Sequence, residues 1–347
     1  LSMVCGLLIS VLGVLFTPSI LHLMNTDPVI LEDAQMYLRI YFGGSFFLIV
    51  YNMGAGILRA VGDSRHPLFF LACSAATNVG LDLLFVGVFH WGVAGAAFAT
   101  VGSQLVSAVL VIITLMRSQG SFKLLLKELR FTASDTAAIV KIGLPAGLQT
   151  AIINVSNIII QTFINSFGAA ATAGSTAASK LDDFILIISS SIGLALMTFA
   201  GQNIGAGNFK RVKKGTLIAL ALTVGLMLSL GMLASLFRHQ LVGMFVDRAD
   251  PNFDKIISFG ASKVFYIATF YFITGISDIL SATLRSCGSP IFPMITSFLW
   301  MCGFRIVWIY WLRFLIPVID TASIDSIFII YPITFVLTAL SLGLYFC

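Results

Sequence analysis

Ten apolar runs, each long enough to cross about 30 Å of hydrocarbon, decide what this chain can fold into. They cover residues 1–22, 36–58, 66–90, 92–116, 140–167, 170–200, 216–237, 257–284, 291–315 and 324–346. In lipid each backbone N–H and C=O must be paired within the protein, so runs of this length predict helices. Strands of a membrane barrel would instead alternate over about ten residues, and these runs do not. Charged residues are 10% of the chain, against about 25% in soluble domains. Gly, Ala and Ser recur within the runs, letting helix backbones approach closely. The expected fold is an all-α integral membrane protein.

The net charge of +5 does not point to nucleic acid, because its basic residues sit in short loops between runs. One set of loops holds Arg59, Arg65, Arg117, Lys123, Lys127, Arg130, Lys141, Lys210, Arg211, Lys213, Lys214 and Arg285. The alternate set carries Asp27, Glu32, Asp33, Asp247, Asp250, Asp254, Asp320 and Asp325. That asymmetry predicts a multi-pass protein of the cell membrane with the linker and basic loops in the cytoplasm. Five scattered cysteines, Cys5, Cys73, Cys287, Cys302 and Cys347, read as packing residues and not as disulfides.

The chain is internally duplicated. Phe46, Leu58, Arg59, Gly62 and Pro67 recur 226 residues later as Phe272, Leu284, Arg285, Gly288 and Pro293, and Asp27-Pro28 recurs as Asp250-Pro251. The expected domains are an amino-terminal lobe over 1–116 with four helices, a cytoplasmic linker over 117–139, and a carboxy-terminal lobe over 140–347 with six. Matching the lobes implies two further helices, about 85 to 95 residues, ahead of Leu1, giving ten of an expected twelve spans. A ten-helix protein with unequal halves is the alternative. Six helices per lobe make the repeat parallel, about an axis along the membrane normal. In the linker Phe122, Leu124, Leu125, Leu126 and Leu129 alternate with Lys123, Lys127 and Arg130, which suits either a segment lying on the inner leaflet or a plain solvated connection.

Asn78 and Asp82, four apart in an apolar run, leave one helix face one turn apart, and Ser74 extends that stripe. Asp82 lies nine residues before Trp91 and Thr100 nine residues after it, which predicts equal depth, about 13 Å below the surface. Gly92, Gly95, Ala96, Ala97 and Ala99 permit close packing there. A carboxylate in hydrocarbon has to be paired, coordinated or protonated, and no Lys or Arg lies within two turns of it. Carboxylate, amide and hydroxyl oxygens form a hard site suited to Na⁺, while burial suits the acid to carrying H⁺. The plainer alternative is an Asp82 that accepts a hydrogen bond from Asn78 or caps a local break in the helix. Asn78, Asp82 and Thr100 are therefore the candidate cation-binding residues, with Na⁺ or H⁺ as the ion and no other cofactor.

Asp278 is a second intramembrane acid, expected either to couple an ion or to pair with Arg305. Its counterpart is Asn52, and those of Asn78 and Asp82 are Phe304 and Trp308, so the cation site belongs to one lobe only. Asn154, Asn157, Gln161 and Asn165 form one amide stripe, facing a polar cavity or bonding between helices. Asp278, Asn154 and Asn157 make up a possible second polar site. Lys180, Asp182 and Asp183 suggest a pair near the interface. Gly201–Gly207 lacks the Gly-Lys-Ser/Thr of a phosphate loop and reads as a tight re-entry between helices. Pro145 marks a helix start or kink. The four histidines are dispersed and no nucleophile and base are spaced for catalysis, so an enzyme is not expected.

Leu58-Arg59-Ala60-Val61-Gly62-Asp63 with Pro67, Asn78 and Asp82 followed by Gly92-Val93-Ala94-Gly95-Ala96-Ala97, Ile142 through Gln149, and Gly201-Gln202-Asn203 with Gly205-Ala206-Gly207 together resemble the multidrug and toxic compound extrusion (MATE) family, in its DinF-like branch. The resemblance covers essentially the whole chain. It implies two six-helix lobes rocking between inward- and outward-open states and exporting organic compounds against Na⁺ or H⁺. The branch's Asn, Asp and Thr map onto Asn78, Asp82 and Thr100. It also implies a further acid on a helix preceding this chain, without which the chain alone would not transport. The Glu of another branch has no counterpart in 140–167. The expected cargo is a small organic molecule, plausibly cationic, and the expected state is a monomer in lipid. A flippase for lipid-linked saccharides is the alternative transporter, but it calls for a strongly cationic cavity.

Overall fold

The computed structural model describes residues 2–23, 28–119, 122–125, 127, 130, 132–315 and 325–346, with side chains of Leu23 and 312–315 left aside. Asp27, Leu126, Leu129, Asp320 and Cys347 lie outside the described residues. The chain divides into two compact units, Leu1–Thr136 and Ala137–Cys347.

Helices α1 (Ser2–Leu23), α2 (Leu31–Ala60), α3 (Arg65–Asp82) and α4 (Gly92–Arg117) build the amino-terminal unit. Its core centres on Val50, Tyr51, Leu58, Phe70, Val111 and Leu115. Phe122 and Leu124 pack against that core, and the Leu124 amide donates to the Leu115 carbonyl at 3.0 Å. This start of the linker therefore folds back on its own unit.

The carboxy-terminal unit begins with α5 (Ala133–Asn165), which starts seven residues before the expected 140. Pro145 lies inside α5, so it neither starts nor ends the helix. Then come α6 (Ala169–Gly205), α7 (Phe209–Leu236), the short α8 (Arg238–Gly243), α9 (Phe253–Ala268), α10 (Tyr271–Ser286), α11 (Ile291–Thr296), α12 (Arg305–Leu315), α13 (Asp325–Phe328) and α14 (Ile330–Phe346). Nine helical stretches among the described residues are long and apolar enough to cross a bilayer. The run expected over 257–284 is broken instead: α9 and α10 bend by 47° at Thr269-Phe270, and counted as one span they bring the total to ten. The chain is an all-α membrane protein, with no strand among the described residues.

The duplication reappears as identical hydrogen bonding. α2 ends with the Gly62 amide on the Arg59 carbonyl (2.9 Å) and the Asp63 amide on the Leu58 carbonyl (2.9 Å); α10 ends with Gly288 on Arg285 (3.0 Å) and Ser289 on Leu284 (2.9 Å). Both glycines take positive φ, 90° and 80°, where a Cβ would be strained, so Gly is what lets each helix stop there. Leu58 and Leu284 bury the two ends. In the turn after α2, desolvation would push the Asp63 carboxyl up, but hydrogen bonds from the His66 and Arg65 amides and the His66 ring outweigh it and hold it below the usual range. Gly207 closes α6 in the same manner as Gly62 and Gly288, with φ 71° and the Asn208 amide on Asn203 at 2.8 Å. Asn208 then accepts from the Arg211 amide at 3.3 Å to open α7, which accounts for the glycine-rich stretch without any anion.

Close helix contacts depend on missing side chains. A Cβ on Gly174 would overlap the Ile256 carbonyl and come within 2.9 Å of the Gly260 nitrogen, so α6 and α9 meet backbone to backbone. Gly174→Val is expected to cost about 1–3 kcal/mol through forced separation of these helices. Thermal unfolding in detergent micelles would check it, and an unchanged midpoint would rule the contact out as a source of stability.

Candidate functional site

The three candidate cation-site residues fall on α3 and α4, which pack together. Three contacts set their register. Gly95 meets Phe85, Gly102 meets Leu81, and Ser74 Oγ donates to the Ser103 carbonyl at 2.7 Å. This antiparallel alignment places Thr100 alongside the turn that runs from Asn78 to Asp82. Between Asp82 and Trp91 α3 passes into a π-helical segment, Leu83–Val88, whose wider turns depart from the constant rise of an α-helix. Phe85, Phe89 and Trp91 stack beneath the following connection, where His90 takes φ 55° and Gly92 φ 55°.

The trio shares a neighbourhood without bonding to one another. Thr100 Oγ1 donates to the Ala96 carbonyl of its own helix at 3.0 Å. Asn78 and Asp82 are half-buried, and no hydrogen bond or ion pair engages either side chain among the described residues. The expected alternative, Asp82 satisfied by Asn78, is therefore not what the structure shows. π-helical turns are frequent at functional sites, and a second one, Ser297–Phe304, lies in the carboxy-terminal unit. In the carboxy-terminal unit the corresponding positions carry aromatic rings: Phe304 lies 6.2 Å from Trp308, whose Nε1 donates to the Ser326 carbonyl at 3.2 Å.

The possible second polar site does not assemble as a group. Asp278 Oδ2 accepts from Ser189 Oγ at 2.7 Å, joining α10 to α6. Asn157 accepts from Arg305, and Asn154 is exposed. Asp278 and Arg305 form no pair, because each is already held by a different helix. Gln161 and Asn165 bond between helices: Gln161 accepts from Ser175 on α6 at 2.9 Å and donates to Asn165 at 2.9 Å, and Asn165 accepts from Thr172 at 3.1 Å.

Asp182 pairs with Lys263 of α9, 3.6 Å away, and not with Lys180, which is exposed on the same helix as Asp183. Lys263 is 5% exposed and also donates to Ser179 Oγ at 2.6 Å and the Ser175 carbonyl at 3.1 Å. The Tyr271 hydroxyl adjoins the carboxylate. Sequence reasoning missed Lys263 and Tyr271, although a lone lysine inside the run 257–284 was a visible signal.

The sequence matches the MatE family over residues 1–84 and 145–311. The chain belongs to the MatE family. Among MatE relatives, a probable multidrug resistance protein, YpnP, of Bacillus subtilis is 30% identical over 80% of this chain and 61% of its own length. A second probable multidrug resistance protein of that organism, YoeA, is 26% identical over 96% of this chain and 72% of its own. The chain thus spans 61% and 72% of the length of these two relatives. A MOP superfamily transporter from Pyrococcus furiosus, described as having a binding pocket of reverse polarity, superposes with a TM-score of 0.91 at 20% identity over 99% of this chain and 75% of that one. At this identity the likeness is one of fold.

Proposed function

We propose that this MatE chain is part of a cation-coupled exporter of small organic compounds that works by alternating access in the cell membrane, with its basic loops cytoplasmic. The observation that carries the reading is Asp82, a half-buried carboxylate in an apolar helix with no partner among the described residues. Such a group is compensated by an ion taken up in one state and released in the other, and coupling requires that difference between states. Na⁺ with the oxygens of Asn78 and Thr100, or H⁺ on the carboxylate alone, would serve. The pairing of Asn78 and Asp82 with Thr100 is also what favours the DinF-like branch. A saccharide flippase is less well supported, because it calls for a strongly cationic cavity, and of the two buried bases of the carboxy-terminal unit Lys263 is already paired with Asp182, leaving Arg305 alone.

The test uses the full-length protein in liposomes with an imposed Na⁺ or H⁺ gradient and a panel of cationic, neutral and acidic fluorescent compounds. Uphill movement of at least one compound, lost when both gradients are dissipated, is the expected result. Transport that ignores both gradients would overturn the reading.

A further inference from the structure

The carboxy-terminal unit buries one guanidinium with no carboxylate against it among the described residues. Lys263 already answers Asp182, and the Asp278 carboxylate is taken by Ser189. Arg305, only 2% exposed, has no carboxylate beside it among the described residues. Its Nε donates to Thr334 Oγ1 at 3.1 Å and its Nη1 to Asn157 Oδ1 at 3.3 Å. The rings of Tyr331 and Phe335 lie 4.4 and 5.7 Å from the guanidinium carbon. Neutral acceptors and ring faces reduce the cost of burying a guanidinium but do not cancel its charge. If α5, α12 and α14 needed only a polar link, an amide would provide it at far lower desolvation cost.

One partner of Arg305 differs from the rest. Asn157 is exposed, whereas Thr334 is fully buried, so of the two acceptors only Asn157 reaches the surface of the unit. An acid entering there exchanges a neutral hydrogen bond for a charge-assisted one, and the planar guanidinium fork fits a carboxylate or phosphate with two parallel bonds. Tyr331 would then flank the ion pair, offering a ring face to an aromatic body attached to the acid.

We propose that Arg305, gated by Asn157 and flanked by Tyr331, recognises an acidic group on the transported molecule. This rests on the exporter reading and departs from the cationic cargo expected from sequence. Without a gradient, binding to the full-length protein in detergent can be measured for 1-naphthoate and its uncharged twin 1-naphthamide. Wild type is expected to prefer the acid by about tenfold, the value of one added hydrogen bond to a charged group. Arg305→Gln should erase that preference while leaving the amide's affinity unchanged. Arg305→Lys should keep part of it. Asn157→Asp, which places a carboxylate against the guanidinium from within, should abolish the preference without loss of folding, so the proposal stays testable if Arg305→Gln misfolds. Equal affinity for acid and amide in wild type would overturn the proposal, as would an equal loss of both in Arg305→Gln, the mark of a structural staple. Phosphatidylglycerol copurifying with wild type but not with Asn157→Asp, with no preference between the two probes, would assign Arg305 to a lipid headgroup and also overturn it. A protein that prefers the acid yet ignores ion gradients fails the exporter reading alone; one driven by gradients with no acid preference fails this inference alone.

Discussion

Lys263→Met is expected to destabilise the carboxy-terminal unit by about 3–5 kcal/mol, because it leaves the Asp182 carboxylate buried and alone. Asp182 is 8% exposed, its Oδ1 has no hydrogen-bond partner even with Lys263 present, and the adjoining Tyr271 hydroxyl is neutral and cannot replace the ammonium's charge. Asp182→Leu should cost a similar amount for the mirrored reason, a stranded ammonium beside Ser175 and Ser179. The double variant is the informative one. Removing both charges returns neither ion to a dry interior, so Lys263→Met/Asp182→Leu should recover most of the loss and could match the parent. Thermal unfolding in detergent micelles gives all three values. If each single variant unfolds where the parent does, the pair carries no weight in the fold and its role must be sought in transport.

The apolar runs made the helices legible, since a 20-residue stretch without charge has few alternatives in lipid. The repeat was legible for a local reason as well: Gly62 and Gly288 stop equivalent helices with equivalent hydrogen bonds, a requirement that only a few residue types meet. What sequence could not supply was partnership across helices. Asp182 has Lys180 two residues away, yet its cation comes from α9, because residues two apart point to different sides of a helix. Asp278 and Arg305 looked like partners by being the odd charges in neighbouring runs. Each meets a hydroxyl or amide from a third helix instead, and no spacing within one run encodes that choice. The π-helical segment after Asp82 was equally hidden, since Leu83–Val88 is as apolar as any α-helical turn. The break between α9 and α10 has no Pro or Gly at Thr269-Phe270 to announce it.

Asp82→Asn should reduce gradient-driven transport by about one to two orders of magnitude, the loss expected when a typical coupling free energy is removed. Asn is nearly isosteric with Asp and neutral, so the helix loses only the group that can be charged and discharged. Folding should hold, because no hydrogen bond or ion pair to Asp82 is broken among the described residues. Downhill equilibration of cargo should persist, since it needs the lobes to move but not an ion to be exchanged. That split separates coupling from structure: a variant that merely misfolds loses both kinds of flux. Asn78→Ala and Thr100→Ala divide the two candidate ions. If Na⁺ is bound by the three oxygens, each substitution raises the Na⁺ concentration needed for half-maximal transport; if H⁺ sits on the carboxylate alone, each leaves the pH profile nearly unchanged. Vesicle assays with full-length protein, run once under Na⁺ and once under H⁺ gradients, read both outcomes, and undiminished uphill transport in Asp82→Asn would remove this residue from the mechanism.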